Sequence, residues 1–242
     1  MSLLIQNKQV VVPGEILADD MGFIPSYGTY RIKENIIASK LGIVNAEGKV
    51  LKIIPVAGKY LPKRNDVVIG RVFDILMTGW RLEINSPYSA VLSSKETPEF
   101  IAKGDDLTRY FDLDDYVVAK ITNVTSQNLV DVSMRDQGLR KLKGGRIVKV
   151  NTHKVPRIIG KKGSMVSMIK QATGCRIIVG QNGLIWVDGE PDKENIAVDA
   201  IKKIELESHL SGLTERMKEY LENTTGTKII AEEPKGDYHD LQ

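Results

Sequence analysis

Val155-Pro156-Arg157-Ile158-Ile159-Gly160-Lys161-Lys162-Gly163-Ser164-Met165 is the stretch on which the reading of this chain turns. Two glycines bracket two lysines, with an apolar helical turn before them and a second helical pattern after. Glycine lacks Cβ, so another backbone can approach closely, and it adopts φ > 0 at little steric cost. Ser164 is placed to cap the following helix, whose first free N–H groups and positive dipole end then face the loop. With two ammonium groups added, such a turn suits a phosphodiester backbone. Two glycines four positions apart are common by chance, so the surroundings decide.

Arg146–Asn151 alternates like a half-buried strand, with Val148 and Val150 on one face. Pro156 fits the first turn of a short helix, Val155–Ile159. Met165, Ile169 and Ala172 recur at helical spacing until Gly174 ends the second helix. Cys175–Val179 and Leu184–Val187 read as strands joined by a turn containing Asn182-Gly183. Pro191 opens a last helix whose buried face carries Ile196, Ala200, Ile201 and Ile204. Strand, helix, GxxG, helix, strand, strand, helix is the build of a KH module, which clamps about four nucleotides at that loop.

Charge argues independently. Gln137–Val187 contains no Asp or Glu and eleven Lys or Arg, a segment of +11 in a chain of net +3, which leaves −8 for everything else. Solvated surfaces ordinarily mix signs, and this segregation is the footprint of a polyanionic partner. Arg157, Lys161, Lys162, Lys154 and Arg146 are the candidate phosphate contacts. Gly160, Gly163 and Ser164 are the candidate backbone cradle. Ile158, Ile159 and Ile178 are either an apolar floor for bases or simply KH core.

The 242 residues suffice for two or three small domains. No apolar run approaches the roughly 18 residues that span a bilayer, and the start, Met1–Val12, has no signal-peptide layout. One cysteine, Cys175, precludes an internal disulfide and has apolar neighbours, as a buried, inert thiol would. With three scattered histidines it leaves no spacing for zinc. No cofactor is expected. No paired carboxylates or Ser/His pair fall at catalytic spacing, so the chain reads as a binder, not an enzyme.

Residues 1–65 carry frequent Gly and Pro between short apolar strings such as Lys49–Pro55, the pattern of a small β domain. From residue 66 to 143 the strings lengthen into five strands: Val67–Leu76, Trp80–Ile84, Tyr88–Ser93, Tyr116–Val124 and Leu129–Met134. A polar excursion, Ser94–Asp115, separates the third from the fourth, as in a Greek-key OB barrel that binds single strands with cations and stacking rings. Trp80 alternates with Leu82 and Ile84, which argues for the barrel core. Arg81, on the opposite face, and Tyr88, near a loop, are the surface candidates. The KH module takes 144–211. Residues 212–242 read as partly helical, Leu213–Leu221, then as a mobile acidic tail.

These strings resemble the archaeal exosome RNA-binding cap subunit family. The resemblance rests on Val12-Pro13-Gly14-Glu15, Gly58-Lys59-Tyr60-Leu61-Pro62, Asp66–Val72, Trp80–Ile84 and Val155–Met165. It covers nearly the whole chain apart from the tail. It implies a multidomain protein, β then α+β: N-terminal β domain, five-stranded OB barrel, βααββα KH domain. It also implies a non-catalytic, cytoplasmic subunit that captures single-stranded RNA 3′ tails for a hexameric RNase PH-like ring and shares mixed trimeric caps with the other cap subunit. The contrasting expectation is an assembly subunit whose RNA contact is incidental. The family often places glycine before the aspartate that opens its barrel strands. Asn65 stands there before Asp66, and Leu113 stands in a similar place before Asp114.

Overall fold

The computed structural model describes residues 3–56, 58–102, 104–210 and 212–227. The chain divides into two compact units, Met1–Gly58 and Lys59–Gln242.

The first unit holds seven short strands: β1 (Val10–Val11), β2 (Ile16–Ala18), β3 (Ile24–Pro25), β4 (Thr29–Ile32), β5 (Asn35–Ala38), β6 (Gly42–Glu47) and β7 (Val50–Pro55). They form two sheets, β1-β6-β7-β3 and β2-β5-β4. Val11, Val44, Leu51 and Ile53 of the first sheet and Leu17, Ala18, Ile36 and Ala38 of the second share one buried core. The strands are short because a turn residue interrupts nearly every apolar string.

In the second unit, β8 (Val67–Leu76), β9 (Gly79–Glu83), β10 (Ser89–Ser93), β11 (Tyr116–Val124) and β12 (Val130–Ser133) run in the order β12-β10-β9-β8-β11. The β11–β12 pairing closes them into a five-stranded barrel, and the β10–β12 pair is parallel, Ala90 opposite Val130. The short β13 (Lys141–Leu142) extends β11 at its edge. Trp80, Leu82 and Ile84 are fully buried, as their alternation predicts. The Trp80 indole N–H donates to the Phe111 carbonyl at 2.9 Å, and the two rings meet edge to face at 4.9 Å. That carbonyl belongs to the long excursion, which plugs the barrel with Phe111.

Asn65 (φ 72) and Asp114 (φ 66) are left-handed, each one residue before the aspartate that leads into β8 or β11. The expected special position at Leu113 therefore lies one residue early. Asx side chains tolerate this conformation, so neither place requires glycine.

The KH module comprises β14 (Arg146–Lys149), α1 (Val155–Ile159), α2 (Ser164–Thr173), β15 (Arg176–Val179), β16 (Leu184–Asp188) and α3 (Pro191–Glu207). Its sheet, β14-β16-β15, is antiparallel throughout. A further helix, α4 (Leu213–Thr225), buries Leu213, Met217 and Leu221 in the same core as the other helices. That helix runs through Asn223–Thr225, where the sequence predicts tail. The rest of the expected acidic tail, 228–242, lies outside the described residues.

The KH sheet serves two cores at once. Val148, Ile177, Ile185 and Val187 face the helices, while Ile147, Ile178, Leu184 and Trp186 pack with the barrel cluster. The period of two sends alternate side chains to opposite faces, and here both faces are apolar. The Trp186 indole donates to the Gly144 carbonyl at 2.9 Å, and Arg140 and Arg176 lie within 6 Å of its ring.

The β15–β16 turn completes the junction. Gln181 N–H donates to the Val67 carbonyl at 2.8 Å. Asn182, fully buried, donates to the carbonyls of Ile69 (2.7 Å) and Ile84 (2.9 Å) and accepts from the Ile69 amide (3.3 Å). Asn85 in turn donates to the Asn182 carbonyl at 2.7 Å.

Candidate nucleic-acid interface

Helix α1 lasts five residues because Pro156 opens it and Gly160, at φ 77 and ψ 175, ends it. A Cβ at Gly160 would lie 2.7 Å from the Met165 nitrogen and 2.8 Å from its Cβ. Glycine is therefore required there by the close passage of α2 over the loop. Lys162 (φ 53) and Gly163 (φ 78, ψ 6) are both left-handed. This double reversal turns the chain between the helices within one 3₁₀ turn, Lys161–Gly163.

Lys161 and Lys162 are exposed at the apex, and Arg157 is exposed on α1. Among the described residues, none of the three is in an ion pair. Elsewhere in the acid-free stretch Lys141 pairs with Asp115 and Arg176 with Asp188, while Lys143 and Lys149 are exposed on and beside β14. The loop thus gathers three open cations, Arg157, Lys161 and Lys162, around one turn.

Ser164 does not cap α2. It is the first residue of the helix, with helical φ/ψ, and Gly163 stands at the cap with no side-chain hydrogen bond. No side chain therefore competes for the positive end of the ten-residue helix.

The remaining candidates divide sharply. Ile158 is fully buried in the KH core and cannot meet a base. Ile178 points to the barrel cluster on the opposite face of the sheet. Ile159 and Val179 are the half-buried apolar residues that pack on the KH core from α1 and β15. Sequence reasoning misses Val179, although its spacing of two from Ile177 carries the signal. The Lys154 ammonium donates to the Ser208 hydroxyl, so it is partly occupied by the residue that follows α3.

Arg146 is the first residue of β14. It donates to the Asn195 side chain at 3.0 Å. It lines a crevice of about 560 Å³ beside Asp114, Asp115 and Glu194, surroundings that disfavour a phosphate. Arg81 lies 4.0 Å from Asp74, and its β10 neighbour Val91 pairs with Asp131, so its face is not basic. Tyr88 is half-buried against the barrel cluster, so it is not a free stacking platform. Trp80 is core, in line with its alternation.

Residues 145–193 match the KH domain family, and residues 10–47 match the family described as Exosome complex exonuclease RRP4 N-terminal region. The chain is 40% identical to the exosome complex component Rrp4 of Methanobrevibacter smithii over 99% of its own length and 80% of that protein's. It is 42% identical to that of Picrophilus torridus over 92% of this chain and 96% of the relative. A crystal structure described as an exosome complex RNA-binding protein superposes with a TM-score of 0.62 at 36% identity, covering 69% of this chain and 97% of that one. The chain belongs to the exosome complex component Rrp4 family.

Proposed function

We propose that this protein is a non-catalytic, cytoplasmic cap subunit that captures single-stranded RNA 3′ tails and passes them to a phosphorolytic RNase PH-like ring. One observation carries the reading: Arg157, Lys161 and Lys162 stand exposed around a backbone turn that ends at the uncapped start of α2. Cations and the positive end of a helix bind phosphates without reading sequence, so the expected preference is for unstructured strands. The chain supplies grip, and the ring supplies chemistry.

The first unit supports docking to such a ring. Val10, Ile43 and Ile54 stand side by side across β1, β6 and β7. Ile16, Ile37 and Tyr30 do the same across β2, β5 and β4. Val10, Ile54, Ile16 and Tyr30 are 40–59% exposed. Contiguous apolar rows on sheet faces mark protein contacts. In the proposed assembly three caps share the ring, alone or mixed with the other cap subunit.

These rows also favour the contrasting reading, a subunit that mainly stabilises the ring. The full chain with Lys161→Asp/Lys162→Asp separates the two. If it co-elutes with the ring but no longer promotes shortening of tailed RNA, capture is its role. Undiminished shortening supports assembly alone. Removal of one phosphate-binding cation should flatten the salt dependence of RNA affinity by about 0.7 on a log–log plot.

A further inference from the structure

Outside the loop, a second set of open cations lies on the barrel. Lys63 and Arg64 form the turn before β8, and Lys59 precedes it; all three are exposed. Among the described residues none of them is in an ion pair. Asp66 attracts Lys63, but its carboxylate is half-buried and accepts from the Tyr60 hydroxyl at 2.5 Å. The turn has a fixed shape: Asn65 is left-handed, its N–H donates to the Ile121 carbonyl at 2.8 Å, and Asp66 N–H donates to the Lys63 carbonyl at 3.2 Å.

The position of this turn gives it meaning. Val67, three residues after Arg64, receives the Gln181 amide of the KH hairpin. The same hairpin receives the Val150 amide at the Gly183 carbonyl (2.8 Å), just before the segment that enters α1. Five residues of α1, about 7.5 Å of rise, then lead to Gly160. Two hydrogen bonds and the short segments of chain on either side of them therefore join the Lys63–Arg64 turn to the GxxG loop. Asn182 and Trp186 lock that path by burial, so the two sets of cations keep one spacing.

We propose that Lys63 and Arg64 are a second phosphate-binding site for the strand held at the GxxG loop, contributed by the barrel. The inference rests on the RNA-capture reading of that loop. Two sites at fixed separation make the second contact intramolecular, so affinity rises once a strand is long enough to reach both. The ligand class is a single-stranded polynucleotide longer than one KH footprint.

The test measures anisotropy of labelled oligoadenylates on the full chain, at several salt concentrations. One oligomer has about four nucleotides, enough for the loop; the other has about twelve, within the span of an added barrel site. Lys63→Ala/Arg64→Ala should weaken the longer oligomer about tenfold, as two surface ion contacts would. It should lower the salt slope for that oligomer by about 1.4 and leave the shorter one unchanged. Lys63→Arg/Arg64→Lys should restore the longer oligomer. Equal weakening of both lengths, or of neither, overturns the second site. Lys161→Asp/Lys162→Asp, in contrast, should weaken both lengths. If that variant leaves the short oligomer untouched, it is the reading of the loop that fails.

Discussion

Asn182 and Ile69 bind each other in both directions: the Asn182 amide donates to the Ile69 carbonyl at 2.7 Å, and the Ile69 amide donates back to its oxygen at 3.3 Å. The pair lies 113 residues apart in sequence, between the KH hairpin and the second residue past the start of β8. With the Ile84 bond added, one side chain satisfies three backbone groups inside a buried junction. Asn182→Ala strands all three, and unmet buried groups of this kind cost about 1–3 kcal/mol each where water cannot enter. The expected loss is about 3 kcal/mol, read as a lower urea midpoint by tryptophan fluorescence. Asn182→Asp should lose more, since it buries a carboxylate against two carbonyls.

Lys162 separates the loop's shape from its charge. A non-glycine residue at φ 53 carries about 1–2 kcal/mol of strain. Lys162→Gly relieves it while adding unfolded-state freedom. Stability should therefore move by no more than about 1 kcal/mol, while the salt slope of RNA binding falls by about 0.7. Gly160→Ala should behave in the opposite way. Its Cβ meets the Met165 backbone, so it should lower the melting temperature and distort the loop although every cation remains.

The KH order and the loop were legible because Pro156, Gly160, Gly163 and Gly174 punctuate the chain at places where the backbone must turn. Trp80 was legible because strict alternation fixes its face. Ile158 and Ile159 could not be told apart, since a five-residue helix is too short for apolar spacing to choose between neighbours. Asn182-Gly183 signalled a hairpin, and the hairpin exists, but the same asparagine is buried by the barrel. Nothing local to the turn encodes that contact. Ser164 fails as a cap for a related reason: the left-handed Gly163 starts the helix one residue early. Arg146, Arg81 and Tyr88 stand out by residue type, whereas their neighbours Asn195, Asp74 and the barrel core come from distant strands and helices.

Tyr60 and Asp66 give a pH prediction. Burial is the largest influence on Asp66 and raises its pKa above the ordinary carboxylate value, against the opposing pull of the Tyr60 hydrogen bond and Lys63. Burial also pushes the Tyr60 phenol upward, so it remains the donor. A raised acid binds more protons folded than unfolded. Its stabilising contribution is full below the unfolded pKa, near 3.8, and is lost as pH rises through the folded value. Tyr60→Phe removes a bond that holds the carboxylate charged, so the Asp66 pKa should climb further. Carboxyl-carbon NMR titration should show that rise, and urea midpoints of the variant should fall more steeply from acid toward neutral pH than those of the wild type. An unshifted titration would mean that Tyr60 is not the controlling donor.

Helix α4 extends the KH module beyond the boundary at residue 211 that its sequence order marks. Met217 and Leu221 are fully buried with α2 and α3 residues in one cluster, and Lys203 of α3 lies 4.0 Å over the Tyr220 ring. Such packing makes α4 a structural member of the module, not a spacer. Leu221→Ala deletes buried methyl groups from a formed core and should cost about 2–5 kcal/mol. Because the KH sheet also walls the barrel through Trp186, the loss should appear as one cooperative transition of the second unit. Two separate unfolding steps would show that the shared sheet does not couple the modules. Glu219→Ala, on the same helix but outside the core, should shift the midpoint by less than about 0.5 kcal/mol, which makes it the control that ties the effect to burial.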